Sequence, residues 1–300
     1  MKTSRILLGM LILTLFAGGG IFARDIPAVV DVAWLEANLN NPKLLVLDVR
    51  KVEDYRTGHV PGAVNSFYNS WAITKKDLAA ELPEPDDLED LIQLAGISKD
   101  SWVVVVESEG VSRFHFATRI AWTLAYAGLD NVAVLDVGQA GWVKAGKPVA
   151  TDMVRKPKGN FKVSVRKNYL ASIEDVKQAI SSGTSILLDS RPYDNYFGRS
   201  KPAFVAQFGH IPGAYPTPSD WFYTAEGNFA SKSNIQELFS ALGLDQDKKY
   251  ITYCNSGVYC SAVWWVLHEM LEYKNVSSYD GSAQEISKDP SVTFRKYVWR

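Results

Sequence analysis

Apolar residues along this chain come in short runs that close on charged or turn-forming positions, and the runs recur. Residues 44–47 read Leu, Leu, Val, Leu and close on Asp48-Val49-Arg50; residues 186–188 read Ile, Leu, Leu and close on Asp189-Ser190-Arg191. Runs this short, bounded by turn formers, predict strands covered on both faces. Each is followed by one pattern, Gly58-His59-Val60-Pro61-Gly62-Ala63 and then Gly209-His210-Ile211-Pro212-Gly213-Ala214. The second copy carries ten extra residues here, His59 lying 11 positions after Asp48 and His210 lying 21 after Asp189. Further strands at 102–106 and 250–253 each lead through a turn into an apolar helix, with Trp122 in one and Trp264-Trp265 in the other. Residues 131–136 then parallel 275–280. Self-similarity of this kind predicts two homologous domains in tandem. Strands alternating with helical periodicity predict an α/β class, each domain a parallel sheet flanked by helices.

The first 23 residues stand apart. Lys2 and Arg5 precede an apolar stretch at 6–16, and Ile21-Phe22-Ala23 suits leader cleavage after Ala23. The expected organisation is a signal peptide at 1–23, a first domain at 24–150, a basic linker at 151–167 and a second domain at 168–300. Export to the periplasm follows, with no stable membrane insertion once the leader is removed. An uncleaved anchor is the rival, weakened by the glycines at 18–20.

Composition narrows function mainly by exclusion. Hydrophobic residues make up 47% and charged residues 22%, as in ordinary globular proteins. Lys and Arg total 32 against 33 acids, so no basic field exists to hold nucleic acid. Two cysteines cannot make a disulfide scaffold, and four histidines offer little for a metal cluster. Eight basic residues and one acid, Asp152, lie between Lys144 and Lys167. A solvated linker explains them; an anion-attracting strip beside the interdomain cleft is the second reading.

In parallel sheets ligands sit at the carboxyl ends of strands, which directs attention to the positions after Val106 and Tyr253. Cys254 follows the second of these strands, and Asn255-Ser256-Gly257-Val258-Tyr259 leads into the apolar helix. Amides and the positive helix end in such a loop stabilise a thiolate. A buried, inert thiol is the competing reading. Position leaves both open.

The constellation resembles the tandem-domain rhodanese family of sulfurtransferases, of the thiosulfate or mercaptopyruvate type. The likeness rests on the two Asp-x-Arg and Gly-His-x-Pro-Gly-Ala copies, on Cys254 to Val258, and on Tyr279-Asp280-Gly281-Ser282, and covers the chain from about Val29 onward. It implies that Cys254 carries a persulfide, taking sulfur from a small donor and passing it to cyanide or a thiol, a protein thiol included. It places Asn255, Ser256, Gly257, Val258, Tyr259, Arg191 and Asn195 around the donor and needs neither metal nor organic cofactor. In the first domain the cysteine position falls on Glu107, which implies a catalytically silent copy.

Departures bear on the donor. Asn255-Ser256 stands where thiosulfate users carry a positive pair and mercaptopyruvate users carry Gly-Ser; Asn195 stands where an arginine is common. Tyr259 replaces a Thr, and Ala283 an aromatic. Counting back from Asn131 and Asn275, the silent loop is expected to be three residues longer than the active one (24 against 21 positions). His59 and His210 read as turn-fixing, His115 and His268 as structural, and the two Asp–Arg pairs as braces. Phosphate-ester hydrolysis of the Cys-x5-Arg type is disfavoured, because Cys260 occupies the arginine's place. The alternative from another class is a sulfur-carrier or redox module using Cys254 and Cys260.

Overall fold

The protein is described here from a computed structural model covering residues 24–108 and 110–297. The expected leader at 1–23 lies outside the described residues. The first half contains strands β1 (Val29–Val30), β2 (Leu44–Asp48), β3 (Val64–Asn65), β4 (Ile73–Lys75), β5 (Leu78–Glu81), β6 (Trp102–Val106) and β7 (Val132–Leu135). Its helices are α1 (Val32–Asn38), α2 (Val52–Thr57), α3 (Pro85–Leu94), α4 (Gly110–Tyr126) and α5 (Gly138–Lys144). The second half contains β8 (Leu170–Ala171), β9 (Ile186–Asp189), β10 (Tyr215–Pro216), β11 (Tyr250–Tyr253) and β12 (Val276–Tyr279). Helices α6 (Ile173–Ser182), α7 (Tyr193–Tyr196), α8 (Lys232–Ala241), α9 (Tyr259–Trp265) and α10 (Ser282–Ile286) flank them.

Each half forms a five-stranded, all-parallel sheet, in the order β1-β7-β6-β2-β3 and β8-β12-β11-β9-β10. The predicted parallel α/β architecture, repeated in tandem, is the one observed. The central strands are apolar because both faces are covered; Val103 to Val106 and Tyr250 to Tyr253 are all buried. Local signals agree. At α6, Ser172 and Asp175 form a reciprocal capping box, and Gly183 ends the helix in a left-handed conformation.

Three apolar clusters result. One covers the outer face of each sheet, and the third runs without a break between the domains, joining Trp122 and Ile120 of α4 to Val263, Trp264 and Trp265 of α9. The antiparallel β4–β5 hairpin leaves the first domain and lies on the second, where Ala79 exchanges two hydrogen bonds with the Gln284 side chain (2.9 and 2.8 Å). The linker wraps the first domain, and Lys158, Lys162 and Arg166 pair with Asp90, Glu89 and Asp130. Lys147 pairs with Glu36. Four of the eight cations in the strip are thus paired with first-domain acids.

Candidate functional site

Repeated chemistry fixes the strand end beside Cys254. Arg191 donates Nε and Nη2 to Asp189 (2.8 and 2.6 Å) and Nη2 to the Gly209 carbonyl (2.8 Å). Arg50 does the same with Asp48 and Gly58. In the second domain the Tyr253 hydroxyl adds a bond to Asp189 (2.7 Å). His59 and His210 donate Nδ1 to the carbonyls of Tyr55 and Tyr196 and stack on those rings at 3.7 and 3.8 Å. They are turn fixers, as the repeat suggested. His115, on the silent domain's α4, bonds Ser219 of the second domain (2.8 Å), and His268 lies buried against Trp264.

Between β11 and α9 residues 254–258 curl around the Cys254 sulfur, which is 1% exposed. The loop sorts its backbone groups by direction. The carbonyls of Cys254 and Asn255 accept from the amides of Ala283 and Gln284 (both 3.0 Å). The Gly257 carbonyl accepts from Arg119 (2.9 Å) and the Val258 carbonyl from the Ser261 hydroxyl (2.6 Å). The amides of Cys254 and Gly257 are both held by Ser282 Oγ (3.1 Å each). The amides of Ser256, Tyr259 and Cys260 donate to the sulfur.

The consequence is electrostatic. Burial pushes the Cys254 thiol up, but the Cys260 thiol and the amides of Cys260, Ser256 and Tyr259 outweigh it and bring the group down to about 6. Cys260 moves the other way, held well above its ordinary value by burial and by the neighbouring thiolate, so it stays a donor to Cys254. Ser278 in turn donates to Cys260 (3.4 Å). Both cysteines are free. The loop thereby favours the Cys254 thiolate near neutral pH.

Two residues store the conformation. Gly257 has φ +77°, and a Cβ there would meet Asp280 Oδ1 at 2.2 Å and Arg119 Nη1 at 2.6 Å. Ser282 is left-handed without being glycine (φ +51°), which aims its hydroxyl at the loop amides.

The structure brings most of the residues named from sequence together. Ser256, Val258 and Tyr259 are half-buried in or beside the loop, and Asn255 donates to Asn195 on α7 (3.2 Å), which donates to Ser200 (2.9 Å). Arg191 differs from the expectation of a donor contact. It is fully buried under the loop, near enough to Cys254 for mutual attraction, and Nη1 has no hydrogen-bond partner among the described residues. Arg199 pairs with Asp194 (3.7 Å), and Lys201 bonds the Val205 carbonyl. Asn255 and Asn195 thus place neutral amides beside the loop.

Residues that sequence reasoning gave no role complete the site. Arg119 comes from α4 of the first domain, forks onto Asp280 and reaches Gly257 and Ala80 (2.7 Å). Its signal was one of two arginines in an otherwise uncharged helix. Ser282 and Asp280 stood inside the quoted motif, but nothing local revealed their partners. The silent loop also corrects an expectation. It is shorter, not longer, because α4 begins at Gly110 while β6 ends at Val106; the extra residues lengthen the helix.

Twin parallel-sheet domains with one thiolate cradle between strand and helix define a duplicated α/β class. Residues 31–145 and 172–289 each match the rhodanese-like domain, and the chain belongs to the rhodanese family. It is 31% identical over 265 residues to a Mycolicibacterium smegmatis protein named "Putative thiosulfate sulfurtransferase", covering 86% of this chain and 93% of that one. It is 30% identical over 270 residues to the "Sulfur carrier protein TtuD" of Thermus thermophilus, covering 86% and 92%. Among solved structures it shares its fold with the anaerobic ergothioneine biosynthesis enzyme of Chlorobium limicola. That match has a TM-score of 0.79 and 23% identity, over 90% of this chain and 70% of the other.

Proposed function

We propose that this protein is a sulfurtransferase that moves sulfane sulfur from thiosulfate or a mercaptopyruvate-like donor to a thiophilic acceptor through a persulfide on Cys254. The thiolate displaces sulfite from thiosulfate: the Cys254 sulfur bonds the outer sulfur, the S–S bond of the donor breaks, and sulfite leaves with its electron pair. Cyanide or a thiolate then attacks that outer sulfur and returns the Cys254 thiolate. The observation that carries this reading is the set of loop amides turned onto one buried thiolate. Those groups serve the resting, transition and persulfide states as an oxyanion hole serves its oxygen. Asn255, Ser256, Val258, Tyr259 and Asn195 form the donor's surroundings, and Arg191 supplies positive potential from beneath.

Intact mass tests it. Incubation with thiosulfate or mercaptopyruvate should add +32 (the mass of sulfur) to the wild type and nothing to Cys254→Ser, whose hydroxyl cannot ionise near neutral pH. An unchanged mass with every donor would remove the reading. A second reading, a redox module, is favoured by the Cys260 thiol against the Cys254 sulfur. Its signature is a loss of 2 mass units on oxidation with no persulfide from any donor.

A further inference from the structure

The residues that hold the cysteine loop from behind do not all belong to the domain that carries it. Arg119 and Ala79 come from the silent half; Gly257, Asp280 and Gln284 come from the other. Arg119 is fully buried, and it donates to the Gly257 carbonyl, to which no group of its own domain donates among the hydrogen bonds described. A trans peptide is planar, so fixing the Gly257 oxygen fixes the plane that leads into Val258 and the first turn of α9. That turn supplies the Tyr259 and Cys260 amides to the sulfur. The same guanidinium holds Asp280, which also accepts from the Leu82 amide of the silent domain (2.9 Å) and stands two positions before Ser282. One side chain therefore sets both supports of the loop.

We infer that Arg119 is a positioning residue for sulfur transfer, and that the silent domain is retained in the working site as the frame that aims the loop amides at Cys254. The inference rests on the sulfurtransferase reading for its meaning in catalysis but not for its geometry. No hydrogen bond joins Arg119 to the Cys254 sulfur among those described; it acts through Gly257 and Asp280, and its charge also reaches the Cys260 thiol. Losing it frees the Gly257 peptide to turn, and amides that turn away no longer favour the thiolate.

The test is thiolate absorbance at 240 nm against pH, taken as the difference from the Cys254→Ser form. The main variant is Arg119→Met with Asp280→Asn, which removes both buried charges together and so leaves no unpaired ion. Arg119→Lys is the second, because one ammonium cannot serve Gly257, Ala80 and Asp280 at once. Arg191, Cys260, Tyr259 and Tyr68, the titratable or charged groups that act on or respond to Cys254, remain in every variant. The Cys254 midpoint is expected to rise by about one unit or more in the folded double variant and by less in Arg119→Lys. The kcat should fall about tenfold with the donor KM little changed. A wild-type midpoint in either folded variant would overturn the inference, since a purely structural arginine would change melting alone. Thiolate absorbance needs no donor, so failure of the positioning role is distinct from absence of the +32 adduct, which would sink the sulfurtransferase reading instead.

Discussion

At the scale of single residues the site reveals how little charge it offers an incoming dianion. Asn255 and Asn195 bond each other at its mouth, and Arg199 and Lys201 are occupied elsewhere. Each charge-assisted contact missing from a desolvated pocket costs about 1.5–3 kcal/mol, or roughly 10- to 150-fold in binding. Wild-type protein is therefore expected to show a high KM for thiosulfate with an intact kcat, because amides that act on the sulfur itself remain. Asn255→Arg should lower that KM by about tenfold or more and do less for monoanionic mercaptopyruvate. Steady-state kinetics check this: a micromolar wild-type KM unchanged by the substitution would contradict it. Cys254 and its neighbours were legible in the sequence because a loop between strand and helix is a local feature. Arg119 was not, since its partners lie 138 and 161 positions away, across a repeat that invites each half to be read separately.

At the scale of elements the β4–β5 hairpin is the part the repeat does not account for, and it carries a titratable strain. Glu81 of β5 has a buried Oε1 without a hydrogen-bond partner among the described residues. Burial first, and then the nearby Asp280 carboxylate, push its carboxyl up to about 8, against the pull of Arg119. The sign follows from linkage. A carboxyl raised in the folded state binds its proton more tightly there than in the unfolded chain. That favours folding below the ordinary carboxylate range and is lost as pH climbs to about 8. Glu81→Gln, neutral throughout, should gain melting temperature over wild type as pH rises from 5 to about 8.5, with the two closest at the acid end. Thermal melts at both ends check it; a constant difference would sink it. Strand positions followed from apolar runs, while loop lengths did not. Counting between Glu107 and Asn131 could not reveal that α4 absorbs the surplus residues.

At the scale of the whole molecule the sequence announced two domains, and two five-stranded parallel sheets are present, each closed by its own Asp–Arg brace. The way they join was out of reach, because an apolar helix face looks the same whether it covers its own sheet or a neighbour's. The unbroken cluster from Trp122 to Trp264 has a consequence for cooperativity. Units that share their largest core cannot melt one at a time without baring it to water, and that exposure couples their unfolding. Calorimetry should therefore show one heat-absorption peak whose calorimetric and van't Hoff enthalpies agree, where independent halves would give two. A protein that melts this way has no partly melted form that keeps the cysteine loop, so anything that grips the first domain shields the Cys254 sulfur from heat as well.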